Sequence, residues 1–155
     1  AIEEKSHPDL LYSRAMLAEK IDRFDILESD LMSIIEKDPS NAAALNALGY
    51  TLADRGERLQ DAYNYIKRAY ELSPGDFYIL DSMGWVLYRL GRLDEAIDFL
   101  QKAIDLRNDP EVAAHLGEVY WVMGNEKAAK TVWETALKDT PADDRLLKVI
   151  ERFIP

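Results

Sequence analysis

The sequence predicts an all-α solenoid, with four helix-turn-helix repeats in tandem and a C-terminal capping helix. Three observations carry that prediction. A large apolar residue followed by glycine recurs as Leu48-Gly49, Met83-Gly84 and Leu116-Gly117, at intervals of 35 and 33 residues. In each copy a second glycine follows seven residues later, at Gly56, Gly91 and Gly124. The apolar residues around these phrases return at helical spacing, and breaks rich in Pro, Ser, Asn and Asp close units of similar length. A glycine inside a helix costs about 1 kcal/mol against alanine, so its repetition needs a reason such as close helix packing. A chain of 155 residues holds four such periods.

Residues 1–7 are short and polar and read as the remnant of a preceding segment. Residues 8–41 place Leu11, Ala15, Ala18, Leu27, Leu31 and Ile34 on two helices, near 9–20 and 25–37, and Asp38-Pro39-Ser40-Asn41 ends the second and caps the next. Residues 42–76 repeat the plan with Leu45, Leu48 and Leu52, then Ala62, Ile66 and Ala69. One residue more lies between Gly56 and Ala62 than between Gly91 and Ala96, and a turn is where it disturbs least. Residues 77–109 carry Met83-Gly84 and then Ala96, Leu100 and Ala103, and Pro110 opens the next helix where no backbone donor is needed. Residues 110–143 give Leu116-Gly117, Ala129, Trp133 and Ala136, with Trp133 expected in the core. Residues 144–155 form one more amphipathic helix, which covers the open apolar end of the array.

Hydrophobic residues make up 48% of the chain, enough for a packed core, and the formal charge is -10. The acidity is spread along the repeats, which disfavours phosphate backbones and anionic surfaces, so no nucleic-acid partner is expected. There is no cysteine, hence no disulfide or thiolate site. No run of eighteen apolar residues occurs, so no direct membrane insertion by this segment is expected. The start, AIEEKSHP, has neither an initiator methionine nor an apolar leader, as expected of a fragment or a processed product.

The order of large apolar residue, Leu-Gly or Met-Gly, aromatic or Leu, Gly, Ala, bulky residue, Ala and Pro resembles the tetratricopeptide repeat over residues 8–143. The first copy departs, with Arg14-Ala15 for Leu-Gly and Leu27 for the first small alanine, and slightly different packing is expected there. More narrowly, DSMGWVLYRLGRLDEA followed by DPEVAAHLGEVYWVMG is similar to bacterial outer-membrane lipoproteins built of these repeats, some of which recruit a carboxy-terminal processing protease. That resemblance implies a periplasmic adaptor, tethered to the outer membrane through a missing N-terminal part. Its partner would be a protein or peptide, a protease among the candidates.

The wider resemblance implies a right-handed array whose concave face is lined by the first helix of each repeat. Its offsets fall on Asp9, Tyr12, Met16 and Glu19; on Ala43, Asn46, Tyr50 and Ala53; on Tyr78, Asp81, Trp85 and Tyr88; and on Glu111, Ala114, Glu118 and Trp121. This face is aromatic and acidic. Tyr12, Asn46, Tyr50, Tyr78, Asp81, Trp85, Tyr88, Arg89, Glu118 and Trp121 are the candidate partner-binding residues, suited to a peptide or partner helix with a basic side chain. The competing reading is that some of these rings pack against a neighbouring repeat. Within the Asp81–Gly91 phrase, Asp81, Trp85, Tyr88 and Arg89 are expected to point away from the core. A clamp for a C-terminal carboxylate is not expected, because of its positions only Asn46 fits.

No catalytic, cofactor-binding or metal-binding residue is expected. His115 should face Asp81 of the preceding repeat and bond to it, and a lone histidine is not a catalytic triad. Paired acids such as Asp143-Asp144 read as helix caps. No phosphate-binding glycine loop, HExxH or zinc-ligand spacing occurs. The expected function is a non-catalytic protein-binding scaffold or adaptor. Its rivals are an accessory segment of an enzyme whose catalytic domain lies outside these residues, and a self-association module.

Overall fold

The computed structural model describes residues 7–155, so the reading of residues 1–7 as a remnant falls, but for His7, outside the described residues. The described residues form nine helices and no strand. They group into two compact units, one running to Pro74 and the other starting at Gly75.

The first unit holds α1 (Pro8–Lys20), α2 (Phe24–Lys37), α3 (Ala42–Arg55) and α4 (Leu59–Leu72). Pro8 starts α1 at a position where its missing N–H is not needed. The Asn41 side chain accepts a hydrogen bond from the Ala44 N–H at the start of α3, the role expected of an N-cap. Gly56 ends α3 at φ 71, and the extra residue of this turn is accommodated at Arg58, also left-handed at φ 43. Leu27, Leu31, Leu45, Leu48, Leu52 and Ile66 fill the interior. The irregular first pair has its own solution. Ala15 and Leu27 are both fully buried where glycine and alanine stand in the later repeats. Arg14 donates two hydrogen bonds to buried Asp30, at 2.7 and 2.6 Å.

The second unit holds α5 (Phe77–Arg89), α6 (Leu93–Leu106), α7 (Pro110–Val122), α8 (Glu126–Asp139) and α9 (Asp144–Phe153). Asp76, Asp109, Asn125 and Asp143 cap α5, α7, α8 and α9 through their side chains. The helical glycines are where pairs touch. A Cβ on Gly84 would stand 2.5 Å from Leu100 Cγ and 3.1 Å from the Ala96 carbonyl. Nothing larger fits without moving backbone. Trp133, 1% exposed, fills the α7–α8 layer as expected. The helix α9 lies mainly on α7 and only lightly on α8. No described helix is long and apolar enough to cross a membrane.

Candidate functional site

In the second unit the chemistry gathers where α7 meets α5 on one side and α9 on the other. The His115 Nδ1 lies 2.9 Å from Asp81 Oδ1, and the two residues are 34 apart, one repeat. The same interval joins Glu118 to Arg152 and Glu111 to Arg145, the latter at 2.7 Å. Equivalent positions of successive first helices therefore meet, and each rung pairs an acid with a basic or imidazole group. The His115 ring stacks on Trp85, with centroids 4.1 Å apart, and Trp85 in turn touches the Tyr88 ring at 5.1 Å. Trp121 stacks on Trp133 and leans on Phe153 of α9.

Burial shapes the electrostatics. For His115, desolvation works against the charged form, but the carboxylate of Asp81, followed by Glu111 and Glu118, outweighs it and holds the imidazole pKa above its ordinary value. Burial pushes the Tyr88 hydroxyl up as well, helped by its hydrogen bond to Glu118. Glu118 is 6% exposed, so its charge is tolerable only because Arg152 and Tyr88 meet it.

The candidate residues thus part company. Asp81, Trp85 and Glu118 are each 6% exposed. The expectation that Asp81 and Trp85 point away from the core is corrected, because α7 lays His115 over them and closes that face. Trp85 even carries an indole N–H that is buried without a protein hydrogen-bond partner. Tyr88 and Trp121 are half-buried, Arg89 is exposed at the end of α5, and Tyr78 is 55% exposed at its start. Three residues of the site lie outside the sequence-based set. Arg145, Arg152 and Phe153 of α9 complete it, and the arginines carry a legible signal, two of them seven apart, one repeat after two glutamates seven apart.

In the first unit, Tyr12 is half-buried and its hydroxyl pKa is raised by that burial. Asn46 is half-buried, with an enclosed Oδ1 that meets no hydrogen-bond donor. Tyr50 lines a cavity of about 210 Å³ with Glu19, Asp22, Phe24 and Asp54, and Arg55 lies over the Phe24 ring at 4.5 Å. This hollow is acidic on balance and has aromatic walls. One further group has the donors of a metal site: the ligating atoms of Asp81, Glu111 and His115 all lie within 4.8 Å of one another.

Helix pairs stacked through small residues, with first helices meeting at one-repeat intervals, define an all-α solenoid of the kind that serves protein-protein interaction. Two tetratricopeptide repeat models match, over residues 40–109 and 87–152, and the chain belongs to the tetratricopeptide repeat family. It is 51% identical over 123 residues to the TPR repeat-containing protein PA4667 of Pseudomonas aeruginosa, a match covering 76% of this chain and 21% of that protein. The chain therefore spans about a fifth of that relative's length. Among solved structures, TTC0263, a thermophilic TPR protein of Thermus thermophilus, superimposes with a TM-score of 0.82 at 24% identity, over 95% of this chain and 79% of that one. The O-GlcNAc transferase of Thermobaculum terrenum shares the fold with a TM-score of 0.79 at 22% identity, over 85% of this chain and 26% of the enzyme. Repeats of this family are in general non-catalytic scaffolds for protein partners.

Proposed function

We propose that the chain is a non-catalytic adaptor that binds a protein partner through the acidic, aromatic face of its first helices, by way of a basic side chain on that partner. The observation that carries this reading is the hollow beside Tyr50. Glu19, Asp22 and Asp54 outnumber Arg55 there, and the Tyr50 and Phe24 rings add contact area. On the same reading, Tyr88, Arg89, Trp121 and Tyr78 supply accessible contacts in the second unit, while buried Asp81, Trp85 and Glu118 hold them in place. The test is affinity capture from the source cell on the immobilised chain, with Glu19→Gln/Asp54→Asn in parallel. Loss of specific captured proteins with the helical content unchanged supports the reading, and identical capture removes it.

A protease partner and a periplasmic location, tethered to the outer membrane through a part outside these residues, extend this proposal. Cell fractionation and identification of the captured proteins test them.

A second reading has its own observation. Leu10 and Leu17, seven residues apart on α1, and Ile21, which caps its C-terminal end, are 58%, 63% and 69% exposed. Such a stripe favours packing of another helix, from a second copy or a further repeat. Sedimentation equilibrium separates these, because a monomer at every concentration removes self-association.

A further inference from the structure

We propose that Asp81, Glu111 and His115 form a binding site for a divalent transition-metal ion, held by two carboxylates and one imidazole, that ties α5 to α7. Glu111 and His115 are four residues apart, so one turn of α7 brings both to the same face. Asp81 reaches them from α5, already 2.9 Å from His115. The three ligating atoms lie within 4.8 Å of one another. In a tetrahedral site, bonds of about 2.0–2.2 Å to nitrogen and oxygen set ligand atoms roughly 3.3–3.6 Å apart, so the Asp81–His115 pair opens from 2.9 Å and the widest pair closes by about an ångström through side-chain rotation.

The donor set selects the ion. One imidazole and two carboxylates, with no cysteine in the chain, suit zinc and its first-row neighbours rather than a soft monovalent ion. Two carboxylates attract a divalent ion, with Glu111 shared between it and Arg145, where the side chains of Asp81 and His115 are only 8% and 11% exposed. The supporting residues are also in place. Arg145 holds Glu111 Oε2 at 2.7 Å and so orients the carboxylate, and Trp85 stacks on the imidazole and fixes its plane. Three protein ligands leave a fourth position for water in a tetrahedral site. The buried indole N–H of Trp85, on the ring stacked over His115, meets no protein acceptor. The Glu111 side chain, 28% exposed, is the side from which an ion enters. Without metal, the His115–Asp81 hydrogen bond keeps the ligands together. Ligation exchanges that bond for bonds to the ion.

The test is zinc sulfate titrated into the chelator-treated chain, followed by calorimetry and by proton NMR of the two histidines, His7 and His115. One ion per chain is expected, with the His115 ring resonances shifting and those of His7 unmoved. His115→Gln, which keeps a donor for Asp81, and Glu111→Gln should each weaken binding at least about tenfold, the usual effect of losing part of a metal's support. No saturable binding would overturn the proposal. So would unmoved His115 resonances, or an affinity unchanged from wild type in both variants, since zinc would then be an adventitious ion only, on the chain's 29 carboxylate side chains. The NMR result stands on the unmodified protein even where a variant fails to fold.

Discussion

Gly117 of α7 faces the indole of Trp133 of α8 so closely that a Cβ at residue 117 would overlap the ring. Trp133 is 1% exposed and has no room to retreat. Gly117→Ala should therefore destabilise the chain despite alanine's better helix propensity, by about 1–3 kcal/mol, as overpacking does. Urea unfolding followed by circular dichroism measures it. Gly75→Ala is the control, since nothing lies within 4 Å of a Cβ there.

The pairing of Glu118 with Arg152 fastens α9 to α7. The Glu118 side chain is 8% exposed and that of Arg152 is 61% exposed, so removing the arginine strands a buried charge while costing little packing. Arg152→Ala should lower stability by about 1–2 kcal/mol, less than for a fully buried pair because of that exposure. Hydrogen exchange should rise in α9 before it rises in α5.

Asp143 Oδ1 accepts the Leu146 N–H at 3.0 Å and caps α9. Asp143→Ala should cost about 0.5–2 kcal/mol, and Asp143→Asn should restore most of it. Thermal melts of the two variants check both.

The acids around His115 give stability a pH dependence. The groups facing it are Asp81 from α5 and Glu111 and Glu118 from α7, with Arg145 and Arg152 of α9 paired to the last two. Its folded pKa is raised above the ordinary 6.5, so the protonated form favours the folded state. That contribution is fully present below the unfolded pKa and is lost as pH rises through the folded one. In chelator-treated protein, stability should fall across that rise in the wild type and change less in His115→Gln. Urea midpoints at successive pH values provide the comparison.

The repeat was legible because small residues recur wherever two helices touch, and Gly84, Ala96 and Leu100 do in space what their spacing announced. The Asp81–His115 bond was legible too, since equivalent positions of neighbouring first helices come together at one-repeat intervals. The fate of Trp85 was not. Offsets say which face of a helix a side chain leaves from, but not that a histidine on the next repeat will close over it. The role of α9 was hidden for a related reason. Read as a cap without a partner, it was not set against α7, although the spacing of Arg145 and Arg152 one repeat after Glu111 and Glu118 marks the pairing. The metal donors escaped because Glu111, one turn before His115, was read only as part of an acidic face, while Asp81 and His115 were read as a closed hydrogen-bonded pair.

On the proposed reading, the acidic, aromatic hollow beside Tyr50 takes a basic segment of a protein partner. The most direct measurement is selection of displayed random peptides on the immobilised chain, then titration of the winners against wild type and Glu19→Gln/Asp54→Asn. The expected winners are peptides enriched in Lys or Arg, bound at least about tenfold more weakly by the variant, a loss of about 1.4 kcal/mol. Winners without basic residues, or equal affinity for a variant that keeps its helical spectrum, would contradict it.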